Sequence, residues 1–202
     1  MPVRPKDAAS LVLVRRGAGA PEVLMGRRAR RHRFLPDVYV FPGGRVDRGD
    51  HRIEPRVGLN PEAEAALCDA CSRARARALA VAAVRETYEE TGLLLGELRD
   101  GSLRPSLDGL EYIVRAITPS ASPIRFHARF FIADASGARG ELRSNGELLD
   151  LGWRPLKACL ALPIADITEF VLARVRERLR GARSGARVPA FSYRQGRASV
   201  RD

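Results

Sequence analysis

Residues 85–93 read RETYEETGL, a segment that places Glu86, Glu89 and Glu90 at helical positions i, i+3 and i+4. Helical residues turn by about 100° each, so the three carboxylates share one face while Val81 and Val84 point the other way. Like charges at this spacing destabilise an isolated helix by about 0.2–0.5 kcal/mol per pair. A hard cation such as Mg²⁺ gives a reason to group them because it prefers oxygen ligands. The alternative is an ordinary solvated, acidic helix end.

The composition fits one globular domain. The chain has 202 residues, of which 45% are hydrophobic and 29% charged, enough for a sizeable core. We find no apolar run of about 18 residues, and the apolar stretch at 11–14 is too short for a signal-peptide core. These features predict a cytoplasmic protein without a membrane partner. The odd number of cysteines, 3 in all, predicts free thiols.

The chain is strongly basic, with a formal net charge of +11 from 35 Lys plus Arg and 24 Asp plus Glu. Such a field attracts phosphorylated metabolites and nucleic acids alike. Nucleic-acid binding is the less favoured of the two because the basic stretches lack interleaved aromatic residues. The arginine content is equally explained by a GC-rich genome.

The pattern of apolar residues predicts strands and helices in an α/β order. A helix is expected from Pro61 to Leu95, with Asn60 as its N-cap, Gly92 or Gly96 at its C-terminal end, and a break near residues 71–73. A second helix is expected over 164–180, and residues 181–202 read as a basic, flexible tail. The predicted strands cover residues 10–16, 22–28, 38–41, 113–117, 124–133 and 148–156.

A second short segment, FPGG at residues 41–44, ends the third predicted strand. Pro42 ends the strand ladder, and Gly43 and Gly44 allow a tight turn with an exposed backbone. By itself this tetrapeptide also fits an ordinary strand-ending turn.

Together the two segments resemble a known family. RETYEETGL resembles the R-E-U-x-E-E-x-G-U core of the Nudix box, where U is a bulky aliphatic residue, and FPGG precedes that box in many members. The resemblance implies a Nudix-type α/β/α sandwich with a mixed central sheet, a catalytic helix that ends near Leu95, and one hydrolase domain over residues 1–180. Nudix hydrolases cleave nucleoside diphosphates linked to another group.

The resemblance also implies roles for individual residues. Glu86, Glu89 and Glu90 would ligate Mg²⁺ or Mn²⁺, together with a carbonyl near Gly44, and Arg85 would hold this cluster by pairing with a carboxylate. The backbone of Gly43 and Gly44 would approach the pyrophosphate. The base that activates water would be a box glutamate such as Glu89 or Glu90, or the later Glu147. A surface loop is the alternative reading of Glu147.

One departure from the family pattern concerns spacing. The ordinary box has a glycine fourteen residues before the arginine and a glutamate eight before it, but Cys71 and Arg77 stand at those positions here. Forty residues separate Gly44 from Arg85, roughly 27 more than usual. This predicts an insertion at about residues 45–75 and resembles the coenzyme A diphosphatase branch.

A basic stretch leads into the FPGG strand. Arg27, Arg28 and Arg30 resemble the arginine-bearing segment of members that cleave coenzyme A, although Asp37 stands where that segment has a glycine. The guanidinium groups would bind a 3′-phosphate or pyrophosphate. The alternative is a solvated basic loop.

These observations predict a Mg²⁺- or Mn²⁺-dependent hydrolase that cleaves the pyrophosphate bond of an anionic nucleotide. Coenzyme A or acyl-CoA is the favoured substrate, and NADH or ADP-ribose the next. The alternative is a catalytically silent Nudix fold that binds a nucleotide or RNA. Either a monomer or a homodimer is compatible with the sequence.

Overall fold

The computed structural model describes residues 3–17, 19–31, 34–181, 187–194 and 197–201. Among them are three α-helices, α1 (Pro61–Cys68), α2 (Arg73–Thr91) and α3 (Asp166–Leu179). The strands are β1 (Lys6–Arg15), β2 (Glu22–Arg28), β3 (Tyr39–Val40), β4 (Gly43–Arg45), β5 (Leu94–Arg99), β6 (Ser102–Pro105), β7 (Glu111–Ile117), β8 (Phe126–Asp134), β9 (Ala138–Arg139), β10 (Leu148–Pro155), β11 (Ala190–Arg194) and β12 (Arg197–Arg201). No helix in these ranges is both long and apolar enough to cross a membrane.

The main sheet is mixed, as predicted. Its strand order is β10-β2-β1-β8-β7-β11-β12, with β3 paired to β2 and β4 paired to β1. β1 runs parallel to β8, and β11 runs parallel to β7, whereas the other pairs are antiparallel. A smaller sheet has the order β6-β5-β9.

Hydrophobic cores lie on both faces of the main sheet. On one face α2 covers Leu11 and Leu13 of β1, and on the other α3 contributes Val171 and Val175 to a cluster with Val12 of β1. Helices on both faces of a mixed sheet make an α/β/α sandwich. The predicted fold class is therefore confirmed.

The long predicted helix is broken where the sequence indicated. Asn60 caps α1, its side chain accepting a hydrogen bond from the Ala63 N–H at 2.8 Å, and Pro61 is the first helical residue. α2 begins after Ser72 and ends at Thr91, because Gly92 adopts a left-handed conformation with φ 74°. The predicted end near Leu95 is wrong, since Leu94 already begins β5.

The predicted flexible tail needs a correction. Residues 182–186, 195–196 and 202 lie outside the described residues, but 190–194 and 197–201 form a hairpin that extends the main sheet. Phe191 of β11 is 4% exposed and packs against Phe170 and Tyr193, with ring centroids 5.4 and 5.5 Å away. The C-terminal segment therefore contributes to the core.

Cys68, Cys71 and Cys159 are free thiols, as predicted.

Replacing Phe191 with alanine tests whether the C-terminal hairpin contributes to the core. The variant is expected to lose about 3–5 kcal/mol of unfolding free energy, the usual cost of removing a buried phenylalanine side chain. Val200→Ala in β12, where the side chain is 45% exposed, is the matched control and should change stability by less than about 0.5 kcal/mol. Urea denaturation measures both variants, and equal midpoints would show that the hairpin does not stabilise the core.

Candidate active site

Two predicted carboxylates meet the two predicted glycines. The Gly43 N–H donates a hydrogen bond to Glu90 Oε2 at 2.9 Å. Glu86 lies against the next residue, because a Cβ atom on Gly44 would be 2.4 Å from Glu86 Cδ and 2.5 and 2.6 Å from its two oxygens. Only glycine leaves room for this carboxylate.

The glycines adopt a strand rather than the predicted tight turn. Gly43 and Gly44 belong to β4, where they pair with Ser10 and Ala9 of β1. Gly43 has φ 153°, and a Cβ atom there would be 2.4 Å from the Ala9 carbonyl oxygen. The backbone of β4 is therefore fixed by β1 on one side and available to the carboxylates of α2 on the other.

Arg85 pairs with carboxylates, as the sequence predicted. Its Nε and Nη2 donate to the two oxygens of Asp50 at 2.7 and 3.0 Å. Nη1 lies 3.0 Å from an oxygen of Glu86 and 3.0 Å from one of Glu89, and Nη2 also donates to the Arg45 carbonyl oxygen at 3.2 Å. One guanidinium thus connects α2 to β4 and to the segment that carries Asp50.

Asp50 was not among the predicted site residues. It lies in a short 3-10 helix (Gly49–His51), is 1% exposed, and also accepts a hydrogen bond from the Asp47 N–H at 2.7 Å. A buried carboxylate needs such partners to offset its lost hydration. The bidentate contact with Arg85 indicates a positioning role for Asp50.

The candidate ligand atoms are of the chemical type that a hard cation prefers, but their positions in this structure do not form a complete metal site. Glu86 and Glu90 supply carboxylate oxygens beside the Gly44 backbone, and oxygen ligands suit Mg²⁺ or Mn²⁺. Glu89 instead turns toward Arg85, and its side chain is 50% exposed. Within the described ranges no three Asp, Glu, His or Cys side chains surround a common point. Of the three predicted carboxylates, the structure therefore brings two, Glu86 and Glu90, to the glycines of β4.

Burial changes the protonation of this pair. It raises the pKa of Glu90 to about 8, against the opposing effect of the Gly43 hydrogen bond, and the Glu86 charge raises it further. Burial also raises the pKa of Glu86, while the adjacent Arg85 charge acts in the opposite direction. A bound cation would reverse this balance by favouring both ionised forms.

Glu147 and Arg28, two other predicted residues, lie near enough to Glu90 to affect its charge. Glu147 raises the pKa of Glu90 and Arg28 lowers it, though both effects are smaller than that of burial. Glu147 is partly buried in the loop before β10, and its carbonyl accepts a hydrogen bond from the Ala29 N–H at 3.1 Å. Arg28 Nε is buried without a hydrogen-bond partner in the described structure. Both residues remain candidates for contact with a ligand.

Arg27 of β2 and Arg30 of the following loop both contact Asp37. Asp37 accepts hydrogen bonds from Arg27 Nη1 at 2.8 Å and Arg30 Nε at 2.7 Å. Asp37 stands where the family pattern has a glycine, and its φ of 58° is the left-handed conformation that glycine favours. Of the three predicted arginines, only Arg28 lines the cleft described next.

An apolar cleft of about 490 Å³ opens beside Gly43 and Gly44 on the face of the sheet that carries α3. Phe34 and Phe126, whose rings meet edge to face at 5.1 Å, line one part of it. Phe191 and Tyr193 of the C-terminal hairpin line another part. Apolar walls with a few polar groups are typical of small-molecule sites.

Comparisons with known proteins agree with this geometry. No family model matches the chain. A Nudix hydrolase structure from Alicyclobacillus acidocaldarius is 29% identical and superposes with a TM-score of 0.65 over 85% of this chain and 90% of that one. The chain therefore has the fold of the Nudix hydrolases. The Nudix domain of Shewanella oneidensis NrtR, solved with ADP-ribose, is 18% identical, with a TM-score of 0.57 over 88% of this chain and 90% of that one, a likeness of fold alone.

A curated relative comes from the branch that the sequence resembles. The acyl-coenzyme A diphosphatase NUDT19 of Gallus gallus is 33% identical over 48% of this chain. The match covers 35% of that relative, so the chain spans about a third of its length.

The Nudix spacing explains the role of Asp50. In the ordinary box the first glutamate follows the glycine by six residues, and Asp50 follows Gly44 by six. Counting back from Arg85 had pointed to Arg77, because the extra residues lie after this acidic position rather than before it. Asp50 therefore stands at the position of that glutamate, where it pairs with Arg85.

Asp50→Asn should destabilise the protein by about 3–5 kcal/mol, because it removes one charge of a buried ion pair. Asp50→Glu keeps the charge and should lose less. Asp47→Asn is the control, since this neighbouring carboxylate is 52% exposed and its loss should cost at most about 1 kcal/mol. Chemical denaturation gives the three values, and a small loss for Asp50→Asn would argue against a positioning role.

The raised pKa of Glu90, about 8 rather than 4.5, predicts that the metal-free protein loses stability as pH rises. The folded state keeps a proton that the unfolded chain releases near pH 4.5, so the stabilisation is complete below that pH and is lost as pH rises through about 8. Thermal unfolding in EDTA from about pH 5 to about pH 9 measures this slope. Glu90→Gln should flatten it, and an identical slope in the variant would assign the effect to other groups.

Proposed function

We propose that this protein hydrolyses the pyrophosphate bond of a nucleoside diphosphate linked to another moiety. The observation that carries the proposal is the contact of Glu86 and Glu90 with consecutive glycines, Gly44 and Gly43, on the same strand. This places oxygen ligands beside an exposed backbone at the edge of a small-molecule cleft. The similarity to a Nudix hydrolase structure supports the same class of reaction.

Mg²⁺ or Mn²⁺ would be held by Glu86 and Glu90, with Glu89 and the Gly44 carbonyl as further ligands. Such an ion supplies the positive charge that offsets the pyrophosphate and its leaving oxygen. Arg85 and Asp50 keep the carboxylates in position. For Glu89 to join the ligands, it must give up its contact with Arg85, in which the Glu89 side chain is 50% exposed and the Arg85 side chain 14%.

The remaining residues would orient the substrate and accept a proton. The Arg28 guanidinium, at the cleft and with its Nε unpartnered, would bind a phosphate oxygen. Glu147 would accept the proton of the attacking water, because it lies near enough to Glu90 for its charge to raise the pKa of that residue. Glu89 is the other candidate for this base.

The proposed substrate class is coenzyme A or an acyl-CoA, with NADH or ADP-ribose next. The likeness to NUDT19, by name an acyl-coenzyme A diphosphatase, supports the first class. The likeness to a Nudix domain solved with ADP-ribose is the reason for retaining the second class.

A hydrolysis panel tests the proposal. Purified protein with Mg²⁺ or Mn²⁺ should cleave at least one of coenzyme A, acyl-CoAs, NADH, ADP-ribose, dinucleoside polyphosphates and oxidised deoxynucleoside triphosphates. Glu90→Gln should reduce kcat by at least about 100-fold, and the comparison of Glu89→Gln with Glu147→Gln identifies the base. Glu62→Gln on the exposed side of α1 is the control and should keep full activity.

The alternative, a Nudix fold that binds a nucleotide or RNA without catalysis, predicts a different outcome of these experiments. If the parent protein cleaves no member of the panel but binds a nucleotide or RNA, and Glu90→Gln leaves that binding unchanged, the chain is a binding protein and the proposal is wrong.

A further inference from the structure

A second groove, of about 350 Å³, adjoins the apolar cleft and carries three cationic side chains. These are Lys6 at the start of β1, Arg45 at the end of β4 and Arg125 just before β8. The groove shares Arg45 and Phe126 with the apolar cleft, so the two lie next to each other. We call it the basic groove.

The positive charge of Arg125 is not offset by the contacts that hold it. Its Nη1 donates to the Val3 carbonyl oxygen at 2.7 Å, and its Nε and Nη2 both donate to the Thr118 carbonyl oxygen at 3.2 Å. These acceptors are neutral, so they fix the guanidinium in place without cancelling its charge. A guanidinium held in this way is pre-organised for an anion.

The two other cations are also available. Lys6 is exposed, and its backbone N–H donates to the Arg125 carbonyl at 2.9 Å, which keeps the two residues side by side. Arg45 pairs with Asp47 at 2.9 Å, but both side chains are more than half exposed. Surface pairs of this kind are weak and exchange readily with another anion.

The arginines predicted for such a role are less suited to it. Asp37 neutralises part of the charge of Arg27 and Arg30 with hydrogen bonds of 2.8 and 2.7 Å. The basic groove has three cations and, through Arg45, one exposed carboxylate in contact. Among the described residues it is the better place for a second anionic group of a ligand.

The groove begins next to the candidate active site. Arg45 follows Gly44 directly, and its carbonyl accepts the hydrogen bond from Arg85 at 3.2 Å. A ligand with its pyrophosphate at Gly44 therefore has the basic groove within one residue along β4. A phosphate on the sugar of a nucleotide is close enough to the pyrophosphate to use both sites.

We propose that the basic groove of Lys6, Arg45 and Arg125 binds a phosphomonoester carried by the same molecule whose pyrophosphate is cleaved. The inference rests on the proposed function for the position of the pyrophosphate. It predicts selection for nucleoside diphosphate derivatives with an extra sugar phosphate over those without one, such as NADH and ADP-ribose. Lys6 and Arg125 would then determine substrate specificity without taking part in the chemical step.

Isothermal titration of the full chain with two nucleotides tests the proposal. In EDTA, adenosine 3′,5′-bisphosphate should bind at least about tenfold more tightly than adenosine 5′-monophosphate, since charge-assisted hydrogen bonds contribute differences of this order. Lys6→Gln and Lys6→Glu should reduce the preference progressively. Lys157→Gln removes the only other lysine in the chain and is the matched control for the loss of one positive charge.

The result that overturns the proposal is equal affinity of the parent protein for the two nucleotides, or a preference that survives in Lys6→Glu. A preference lost in Arg27→Gln or Arg30→Gln but kept in Lys6→Glu would place the phosphate at Arg27 and Arg30 instead. Circular dichroism confirms that each variant is folded.

The titration is independent of catalysis. A bisphosphate preference without turnover on any substrate would contradict the proposed function and leave the groove assignment intact. Turnover on coenzyme A without that preference would contradict the groove assignment alone.

Discussion

The ion pair between Asp50 and Arg85 underlies the arrangement of the candidate site. Three glutamates within five residues of one helix repel one another, and two of them are removed from much of the solvent. The Arg85 guanidinium lies among Asp50, Glu86 and Glu89 and offsets this repulsion. Its charge is secure, since burial alone would lower the pKa of Arg85 but the Asp50 contact and the neighbouring carboxylates raise it. Without Asp50 the guanidinium would lose the anchor that sets its orientation.

The second constraint on the candidate site is β4, the strand that carries Gly43 and Gly44. β4 is short, yet its register with β1 fixes both glycines, so the Gly43 N–H points at Glu90 and the bare Cα of Gly44 faces Glu86. A side chain at Gly44 would occupy the space of the Glu86 carboxylate. The site therefore depends on a helix and a strand that meet at atomic contact, each with a conformation set by its own neighbours.

The sequence predicted those parts that depend on local patterns. Helix caps at Asn60 and Gly92 follow from residue type and position, and the carboxylate stripe follows from helical spacing. Asp50 was missed because the spacing was counted from Arg85 across an insertion of unknown position, whereas the distance from Gly44 is conventional. The pairing of Asp37 with Arg27 and Arg30 was not predicted, because Asp37 was noted only as a departure from the glycine of the family pattern. The structure shows that Asp37 adopts the left-handed conformation of a glycine and contacts both arginines.

The C-terminal hairpin shows a different limit. Residues 190–201 carry several arginines and glycine and lack a long apolar run, so composition favoured a loose tail. The hairpin forms because β7 offers a free edge about 75 positions earlier in the chain, where Ala190 and Phe191 align with Arg115 and Ala116. Pairing at such separation leaves no trace in local periodicity. It matters for function because Phe191 and Tyr193 complete the wall of the apolar cleft.

Specificity and chemistry are thus placed on different parts of the chain. The carboxylates, Arg85 and the glycines belong to the two short motifs that resemble the Nudix box and the segment before it. The surfaces that a bound nucleotide would meet beyond its pyrophosphate come from β1, the loop before β8 and the C-terminal hairpin, which those motifs do not include. The loop before β8 and the C-terminal hairpin supply none of the described contacts that hold these carboxylates, so they can vary in sequence without disturbing those contacts. A search by motif alone therefore identifies the reaction class, whereas the substrate has to be inferred from the charges and shape of the two clefts.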